Sequence, residues 1–395
     1  METRSVDKKA MYGLSAGHFM IDWFASLLIP LYPVITAKLG ISLSLISTII
    51  ALGHMLSSML QPLFGFISDK MRHRTFMFWG LVMSSVFIPM TVVSDSAQLL
   101  ALFLIIGMCG NALFHPQVTG LINTFTYNNP QINKYMGIFL GLGTFGYAIS
   151  PTFSSYFLQN FGENSLLLFT IPGLIVAFVL LFATPKIPYE TVNKQKQSFF
   201  GLMKEILSSK PCLGLILIAV VKSGVSISFG TYAPFILHNH GFSTSQTGII
   251  TTIFLVAGGI STILSPKIED KIGGVNVIRL SFFTILPMTL AFLLLLDFLP
   301  TISIICFILA GFAIMLSVSV TIVAAQKLMS KSRGVISGVM QGFSWGLGAL
   351  FLAPLGYFGQ HFGVEKILIL MALIAFLTGA FGITKELKEI FKRGV

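Results

Sequence analysis

Two ionisable residues, His18 and Asp22, lie in an otherwise apolar stretch that runs from His18 to Pro33. Residues four positions apart on a helix share one face, so this imidazole and this carboxylate are expected to be neighbours. Such a pair can bind and release a proton. An ionisable residue inside an apolar span is costly and therefore indicates a function. We predict that this helix face binds protons.

The composition indicates that the stretch crosses a membrane. Of the 395 residues, 54% are hydrophobic and 10% are charged, whereas an average soluble domain has about 25% charged residues. The apolar residues form twelve blocks of the length that a membrane-spanning helix needs, and barrel strands would be much shorter. The predicted helices are 11–37, 43–68, 76–94, 97–123, 133–160, 166–184, 211–239, 243–266, 278–297, 300–326, 333–360 and 365–384.

The positions of the basic residues predict the orientation. The net charge is +11, and when the loops are numbered alternately all Lys and Arg residues except Lys38, Lys222 and Lys366 fall on the side of the N-terminus. Cytoplasmic loops carry the excess of positive charge, so both termini are predicted to be cytoplasmic. We expect a multi-pass protein of the cell inner membrane, in contact with the lipid bilayer and without a nucleic-acid partner.

An offset of 201 residues relates the two halves of the chain. It separates Asp69 from Asp270, and "YFLQNFG" at Tyr156 from "YFGQHFG" at Tyr357. Parallel repeats of this kind are one architecture of transporters, with the substrate site near mid-membrane. The predicted fold is an all-α integral membrane protein of two six-helix bundles. Its predicted divisions are an N-terminal bundle 1–185, a cytoplasmic linker 186–210 with one amphipathic helix, and a C-terminal bundle 211–395.

The loop after the second predicted helix resembles the major facilitator superfamily. Its sequence "GFISDKMRHR" is similar to the family motif G-x-x-x-D-(R/K)-x-G-(R/K)-(R/K), with Arg72 at the second glycine. The resemblance implies a transporter of twelve helices. Charges on this loop can pair with helix ends and stabilise one conformation; the alternative is a solvated basic turn. The predicted gating residues are Gly65, Asp69, Lys70, Arg72, Arg74, Asp270 and Lys271.

Two shorter motifs resemble the fosmidomycin-resistance branch of this superfamily. They are "GHFMID" in the first helix and "FHPQ" in the fourth, where the branch shows G-H-F-x-x-D and F-H-P-E. The resemblance implies a proton-driven exporter of small molecules. Gln117 replaces the acid of the second motif and cannot carry a proton. "GYAISPTFSS" in the fifth helix is similar to an antiporter motif, and it is read either as that signature or as helix packing.

Lys222 lies one residue from the repeat position of Asp22. The two charges are therefore expected at one depth, and the resemblance places both helices at a central cavity. We predict that Lys222 pairs with Asp22, either as a purely structural partner or as the anchor of an anionic substrate. His115 precedes Pro116, which frees a backbone carbonyl, so His115 either relays protons or bonds that carbonyl.

The predicted function is secondary active transport, by proton-coupled export of small anionic or zwitterionic molecules that include antibiotic-like compounds. The alternative is a proton symporter that imports a metabolite or a siderophore. A membrane enzyme or a receptor is a remote alternative, because no nucleophile motif or sizeable soluble domain stands out. The predicted site residues are Asp22, His18 and His115 for proton coupling, and Lys222, Asp22, His115 and Gln117 for substrate binding.

No cofactor and no metal site are predicted, and the expected form is a monomer. His18 and Asp22 supply only two ligands, which do not make a metal site. His238 and His240 have the spacing of metal ligands, but no carboxylate lies near them in sequence. We therefore expect these two histidines in a solvated loop.

Overall fold

The computed structural model describes residues 8–70, 75–125, 132–184, 199–329 and 333–383, together with 387, 389 and 391. Within these residues all regular structure is helical and no strand occurs. Among them, eleven helical stretches are long and apolar enough to cross a membrane, and the 16-residue helix Thr75–Met90 falls at the third predicted span. The predicted all-helical membrane architecture is confirmed, as expected where each helix must satisfy its own backbone in lipid.

The α-helices are numbered in chain order, and some of them are joined by short turns of other helical types. They are α1 Lys8–Ser26, α2 Tyr32–Leu39, α3 Leu43–Met59, α4 Gln61–Lys70, α5 Thr75–Met90, α6 Ala97–Phe125, α7 Ile132–Phe161, α8 Thr170–Ala183, α9 Phe199–Ser208, α10 Lys210–Asn239, α11 Thr244–Ile272, α12 Gly274–Leu295, α13 Pro300–Leu316, α14 Val318–Leu328, α15 Arg333–Gly338, α16 Ser344–Ala349, α17 Leu352–Phe362 and α18 Val364–Phe381.

Several predicted spans contain breaks in the regular helix, for example at Leu60 and at Ser317. Between α1 and α2 lies a 3-10 turn, Ile29–Leu31, where Pro30 lacks the N–H group that would continue the hydrogen-bond ladder. Between α15 and α16 lies a π-helical turn, Val339–Phe343. Such turns are frequent at functional sites, and this one ends two residues before Trp345.

The chain divides into two compact units. The first comprises Met1–Ile41, Leu52–Lys194 and Thr244–Thr252, and the second comprises Ser42–Ala51, Gln195–Ser243 and Ile253–Val395. The first unit thus contains the start of α11, and the second contains the start of α3. The remainder of each of these helices belongs to the other unit. The predicted boundaries of the bundles and linker stay a prediction. The helix α9 lies where the amphipathic linker helix is expected.

Two glutamines related by the 201-residue offset hold these exchanged helix starts. In the first unit, Gln159 Oε1 accepts a hydrogen bond of 2.8 Å from the backbone N–H of Ser245. In the second unit, Gln360 Oε1 accepts one of 3.3 Å from the N–H of Ser44. Because the first N–H groups of a helix lack an acceptor within the helix, each glutamine supplies one. We call these two contacts the glutamine caps.

Close glycine contacts accompany both glutamine caps. In the first unit, a Cβ at Gly248 would clash with Ser155. In the second unit, a Cβ at Gly356 would clash with Ser47. These pairs also obey the 201-residue offset, with the glycine and serine exchanged between the partners. The repeat therefore preserves a close helix contact at both places, although the residues that form it have changed sides.

Glycines also bring α5 and α6 together in the first unit. A Cβ at Gly80 would lie 2.6 Å from the carbonyl oxygen of Gly110, and a Cβ at Gly110 would lie 2.7 Å from Ser84 Oγ. Ser84 Oγ in turn donates a hydrogen bond of 2.7 Å to the carbonyl oxygen of Gly107. Small residues permit this close packing of helices in lipid, and it fixes the position of α6, which carries His115.

Candidate functional site

Three ionisable side chains meet inside the first unit, and we call them the triad. His18 and Asp22 come from α1, and His115 comes from α6. His18 Nε2 lies 3.2 Å from Asp22 Oδ2, and His115 Nε2 lies 3.3 Å from Asp22 Oδ1. The side chain of His18 is 7% exposed, whereas those of Asp22 and His115 are 17% and 23% exposed. The carboxylate is therefore held between two imidazoles and stays partly accessible.

Local packing explains how α1 and α6 bring these groups together. His18 and Asp22 are one helical turn apart, as the sequence predicts. A Cβ at Gly17 would lie 2.9 Å from the ring of Phe114, so glycine at this position lets α1 approach α6. Phe114 is fully buried, and the next residue, His115, points to Asp22. His115 thus contacts Asp22, and its two predicted roles stay predictions.

The helix α7 completes the site through backbone groups that sequence analysis missed. The carbonyl oxygen of Phe139 accepts a hydrogen bond of 2.9 Å from His18 Nδ1, and the Phe139 ring stacks on the His18 ring with centroids 4.1 Å apart. A Cβ at Gly143 would lie 2.5 Å from His18 Cε1 and 2.7 Å from Asp22 Oδ2. The triad therefore requires glycine at position 143. A backbone acceptor leaves no signature in residue type, so the sequence offers no signal for Phe139.

The predicted antiporter-like motif of α7 lies at two packing contacts. A Cβ at Gly146 would clash with the carbonyl oxygen of Phe19 on α1. Further along the motif, Ser155 lies against Gly248 of α11. Both contacts belong to the first unit and fit the packing interpretation of the motif.

The hydrogen bonds of His18 determine how the triad can hold protons. A carbonyl oxygen can only accept, so the Nδ1 of His18 carries a proton. Its Nε2 then faces a carboxylate oxygen, and a lone pair on Nε2 would repel an ionised Asp22. A positive charge between these two atoms removes the repulsion. This geometry allows His18 and Asp22 to share a proton at Nε2 or Oδ2, and it allows His115 to donate its own Nε2–H to Oδ1.

Gln117, predicted to contact substrate, has its amide engaged by protein groups. Its Oε1 accepts a hydrogen bond of 2.7 Å from the backbone N–H of Met77, and its Nε2 donates one of 3.3 Å to Ser68 Oγ. Met77 lies in the first turn of α5, where N–H groups need an external acceptor. Gln117 therefore caps α5, and a glutamate there could accept the same bond. Substrate contact by Gln117 stays a prediction.

Lys222 lies on α10 inside the second unit and is 9% exposed. Its ammonium nitrogen lies 5.2 Å from the centre of the Trp345 ring on α16, a distance at which the ring face attracts a cation. Among the described residues of this unit, no carboxylate lies within 4.0 Å of the ammonium. The predicted pairing of Lys222 with Asp22 stays a prediction.

The predicted gating residues are only partly described. A Cβ at Gly65 would lie 3.3 Å from Pro116, so this glycine sits where α4 packs against α6. Asp69 and Lys70 end α4, but their side chains, like the whole of Arg72 and Arg74, lie outside the described residues. Asp270 and Lys271 end α11 and are exposed. Their gating role stays a prediction.

The two histidines that end α10 differ in their surroundings. His238 is exposed, in line with the predicted solvated position. His240 Nδ1 lies 2.6 Å from Asp297 Oδ1, and the Asp297 side chain is 65% exposed. A carboxylate thus lies near His240 in space although none lies near in sequence, because α12 ends beside α10.

Comparison with known proteins places these features in a family. A model of the Major Facilitator Superfamily matches residues 14–353. The chain is 25% identical over 383 residues to the fosmidomycin resistance protein of Escherichia coli (strain K12), an alignment that covers 92% of this chain and 90% of that protein. This finding agrees with the resemblance carried by "GHFMID" and "FHPQ".

Solved structures of transporters share the fold. The nucleoside transporter NupG matches with a TM-score of 0.75 and 14% identity, over 97% of this chain and 99% of that one. A bacterial homologue of the human lysosomal transporter Spinster, in an inward-facing and occupied conformation, matches with a TM-score of 0.77 and 14% identity, over 99% of both chains. These likenesses confirm the predicted fold. Since the family model spans most of the sequence, the chain belongs to the Major Facilitator Superfamily.

Proposed function

We propose that this protein is a proton-coupled exporter of small anionic or zwitterionic molecules, among them antibiotic-like compounds. Membership of the superfamily makes the chain a multi-pass membrane transporter of small molecules and not an enzyme. Export, proton coupling and the class of substrate are the parts that we propose. The relationship to a fosmidomycin resistance protein favours export. We further propose a monomer in the cell inner membrane with both termini in the cytoplasm.

The contact of His18 Nε2 with Asp22 Oδ2 is the observation that carries proton coupling. With one shared proton, the pair has no net charge; without it, a buried carboxylate faces a lone pair. Since an uncompensated charge in low dielectric is costly, proton loss favours a different arrangement of the surrounding helices. His115, on α6, and the Phe139 carbonyl, on α7, link this change to two further helices.

Lys222 supports an anionic substrate group. Its ammonium is desolvated and lies over an aromatic ring rather than beside a carboxylate of its own unit. A carboxylate, phosphate or phosphonate supplies the missing counter-ion, and an ammonium binds such groups as a point charge. The π-helical turn Val339–Phe343 precedes Trp345 by two residues. The position of the Trp345 ring over Lys222 therefore depends on this turn.

Inverted membrane vesicles with an acidic interior test the proposal. A pH-sensitive dye reports the gradient while anionic and zwitterionic compounds, fosmidomycin included, are added outside. We expect substrate to collapse the gradient with the wild-type protein and not with Asp22→Asn. Asp297→Asn is the matched control, because it removes the same charge from a carboxylate that also contacts a histidine. It should behave like the wild type.

Three results would each contradict a part of the proposal. Substrate-dependent collapse that persists in Asp22→Asn would remove the coupling role from the triad. Transport of a labelled compound without proton movement would indicate facilitated diffusion. If external substrate instead acidified the interior of right-side-out vesicles, the protein would be a symporter, which is the alternative that the sequence left open.

A further inference from the structure

The triad has the composition of a metal site as well as that of a proton site. His18, Asp22 and His115 each offer one ligand atom, and these atoms all lie within 4.8 Å of one another. The helix α1 by itself supplies only two ligands, His18 and Asp22. The third ligand comes from α6, 93 positions after Asp22, and only folding brings it into place. We propose that the triad binds a divalent transition-metal ion of the Zn²⁺ or Co²⁺ type.

The distances between the ligand atoms suit such an ion. Zinc binds imidazole nitrogen and carboxylate oxygen at about 2.0–2.2 Å, which places neighbouring ligand atoms of a tetrahedral site roughly 3.3 Å apart. The two nitrogen–oxygen distances of the triad are 3.2 Å and 3.3 Å. The first distance is to Oδ2 and the second to Oδ1, so an ion bound at the carboxylate is reached by both imidazoles once the rings rotate toward it.

The surroundings of His18 are those of a metal ligand. A ligating histidine usually donates its second ring N–H to a carbonyl or carboxylate, which fixes its tautomer. His18 Nδ1 donates to the Phe139 carbonyl oxygen, so Nε2 faces Asp22 and offers a lone pair to a metal ion whenever the shared proton is absent. The stacked Phe139 ring holds the plane of the imidazole. A lone pair that faces a carboxylate calls for a cation between them.

Charge and access indicate which ion binds. Two neutral imidazoles and one carboxylate carry a single negative charge, and this N₂O set favours borderline transition metals over Ca²⁺ or Mg²⁺, which prefer oxygen ligands. The three protein ligands leave a fourth position of a tetrahedral ion open to water or to substrate. The partial exposure of Asp22 and His115 supplies the route by which an ion can enter.

Titration of the purified full-length protein in detergent tests the site directly, without a proton gradient or a transported substrate. Zn²⁺ binding is measured by calorimetry, and Co²⁺ binding by its visible spectrum. We expect one Zn²⁺ per chain and an intense low-symmetry Co²⁺ band that Zn²⁺ displaces. Mutation of an outer-shell partner of a metal ligand lowers metal affinity by roughly 10–100-fold. Asp22→Asn and His115→Gln each remove a ligand itself, so each should lower the Zn²⁺ affinity by more than that.

His240→Gln and His54→Gln are the control variants. The first removes a partly exposed histidine that contacts a carboxylate, and the second removes another histidine of the first unit. Both should bind Zn²⁺ as the wild type does. The proposal is overturned if the wild type binds no Zn²⁺ at micromolar concentration. It is also overturned if Asp22→Asn keeps Zn²⁺ binding while His240→Gln loses it, because the bound metal is then an adventitious ion only.

A variant that aggregates does not block the test, because the Co²⁺ spectrum of the wild type can still refute the proposal. A weak octahedral band, typical of the hydrated ion, would contradict ligation by the triad. The result is also separate from the proposed transport function. Metal binding can fail while Asp22→Asn still abolishes proton flux, and it can succeed in a protein that moves no protons.

Discussion

Replacing Gly143 by alanine should disable the triad without removing any of its charged groups. The new Cβ would lie 2.5 Å from His18 Cε1 and 2.7 Å from Asp22 Oδ2. Carbon atoms pack at about 3.5–4.0 Å, so the imidazole must move by about 1 Å. That movement breaks the contact between His18 and Asp22, and a hydrogen bond to a charged group contributes about 1.5–3 kcal/mol.

The expected loss follows from that energy. Since 1.4 kcal/mol corresponds to a factor of ten, the affinity of the site for the shared proton should fall by about 10- to 100-fold. Substrate-dependent proton flux in inverted vesicles should fall with it. The fold should survive, because overpacking costs about 1–3 kcal/mol and alanine regains up to about 1 kcal/mol over glycine in a helix.

Gly141→Ala is the matched control on the same helix. A Cβ at Gly141 would meet no atom within 4 Å, so this variant should keep its proton flux and unfold at the same temperature or a higher one. Thermal unfolding in detergent and proton flux are measured on both variants. If Gly143→Ala transports protons as well as Gly141→Ala does, the contact between His18 and Asp22 is not what couples protons to transport.

Three further predictions concern other parts of the molecule. Lys222→Met should abolish transport of anionic compounds measured with labelled substrate, whereas Lys222→Arg should keep part of it; equal transport by both would exclude a charge-dependent anchor. Gln117→Ala should lower the unfolding free energy by about 1 kcal/mol through loss of the cap on Met77, and Gln117→Glu should keep the stability, since a negative charge is favourable at a helix start. Gly248→Ala should clash with Ser155 and lower the free energy of unfolding by an amount typical of overpacking, about 1–3 kcal/mol; an unchanged melting curve would show that this contact can relax.

Much of the fold follows from the sequence because the bilayer allows few alternatives. Apolar blocks of span length must be helices, and their number and order agree with the structure except for the short helix Thr75–Met90. The 201-residue offset identified the repeat, and the glutamine caps obey it at Gln159 and Gln360. The spacing of His18 and Asp22 placed both on one helix face, as observed.

Other features depend on contacts that residue type does not encode. The exchange of the starts of α3 and α11 between the two units cannot be read from a linear division at the linker. Gln117 stands where the resembling F-H-P-E motif has a glutamate, yet its amide caps α5. This role depends on where the first turn of α5 lies relative to α6, which no local pattern specifies.

The sequence by itself determined that this protein is a helical, twice-repeated membrane transporter with an ionisable pair, His18 and Asp22, on its first helix. These properties follow from hydropathy, repeat offset, helical periodicity and the motifs that resemble the superfamily, which are all local or linear. Only the tertiary structure decided what surrounds that pair: His115 from α6, the carbonyl of Phe139 and the space left by Gly143. The physical reason is that long-range helix packing selects these partners, and two of the three act through the backbone or through an absent side chain.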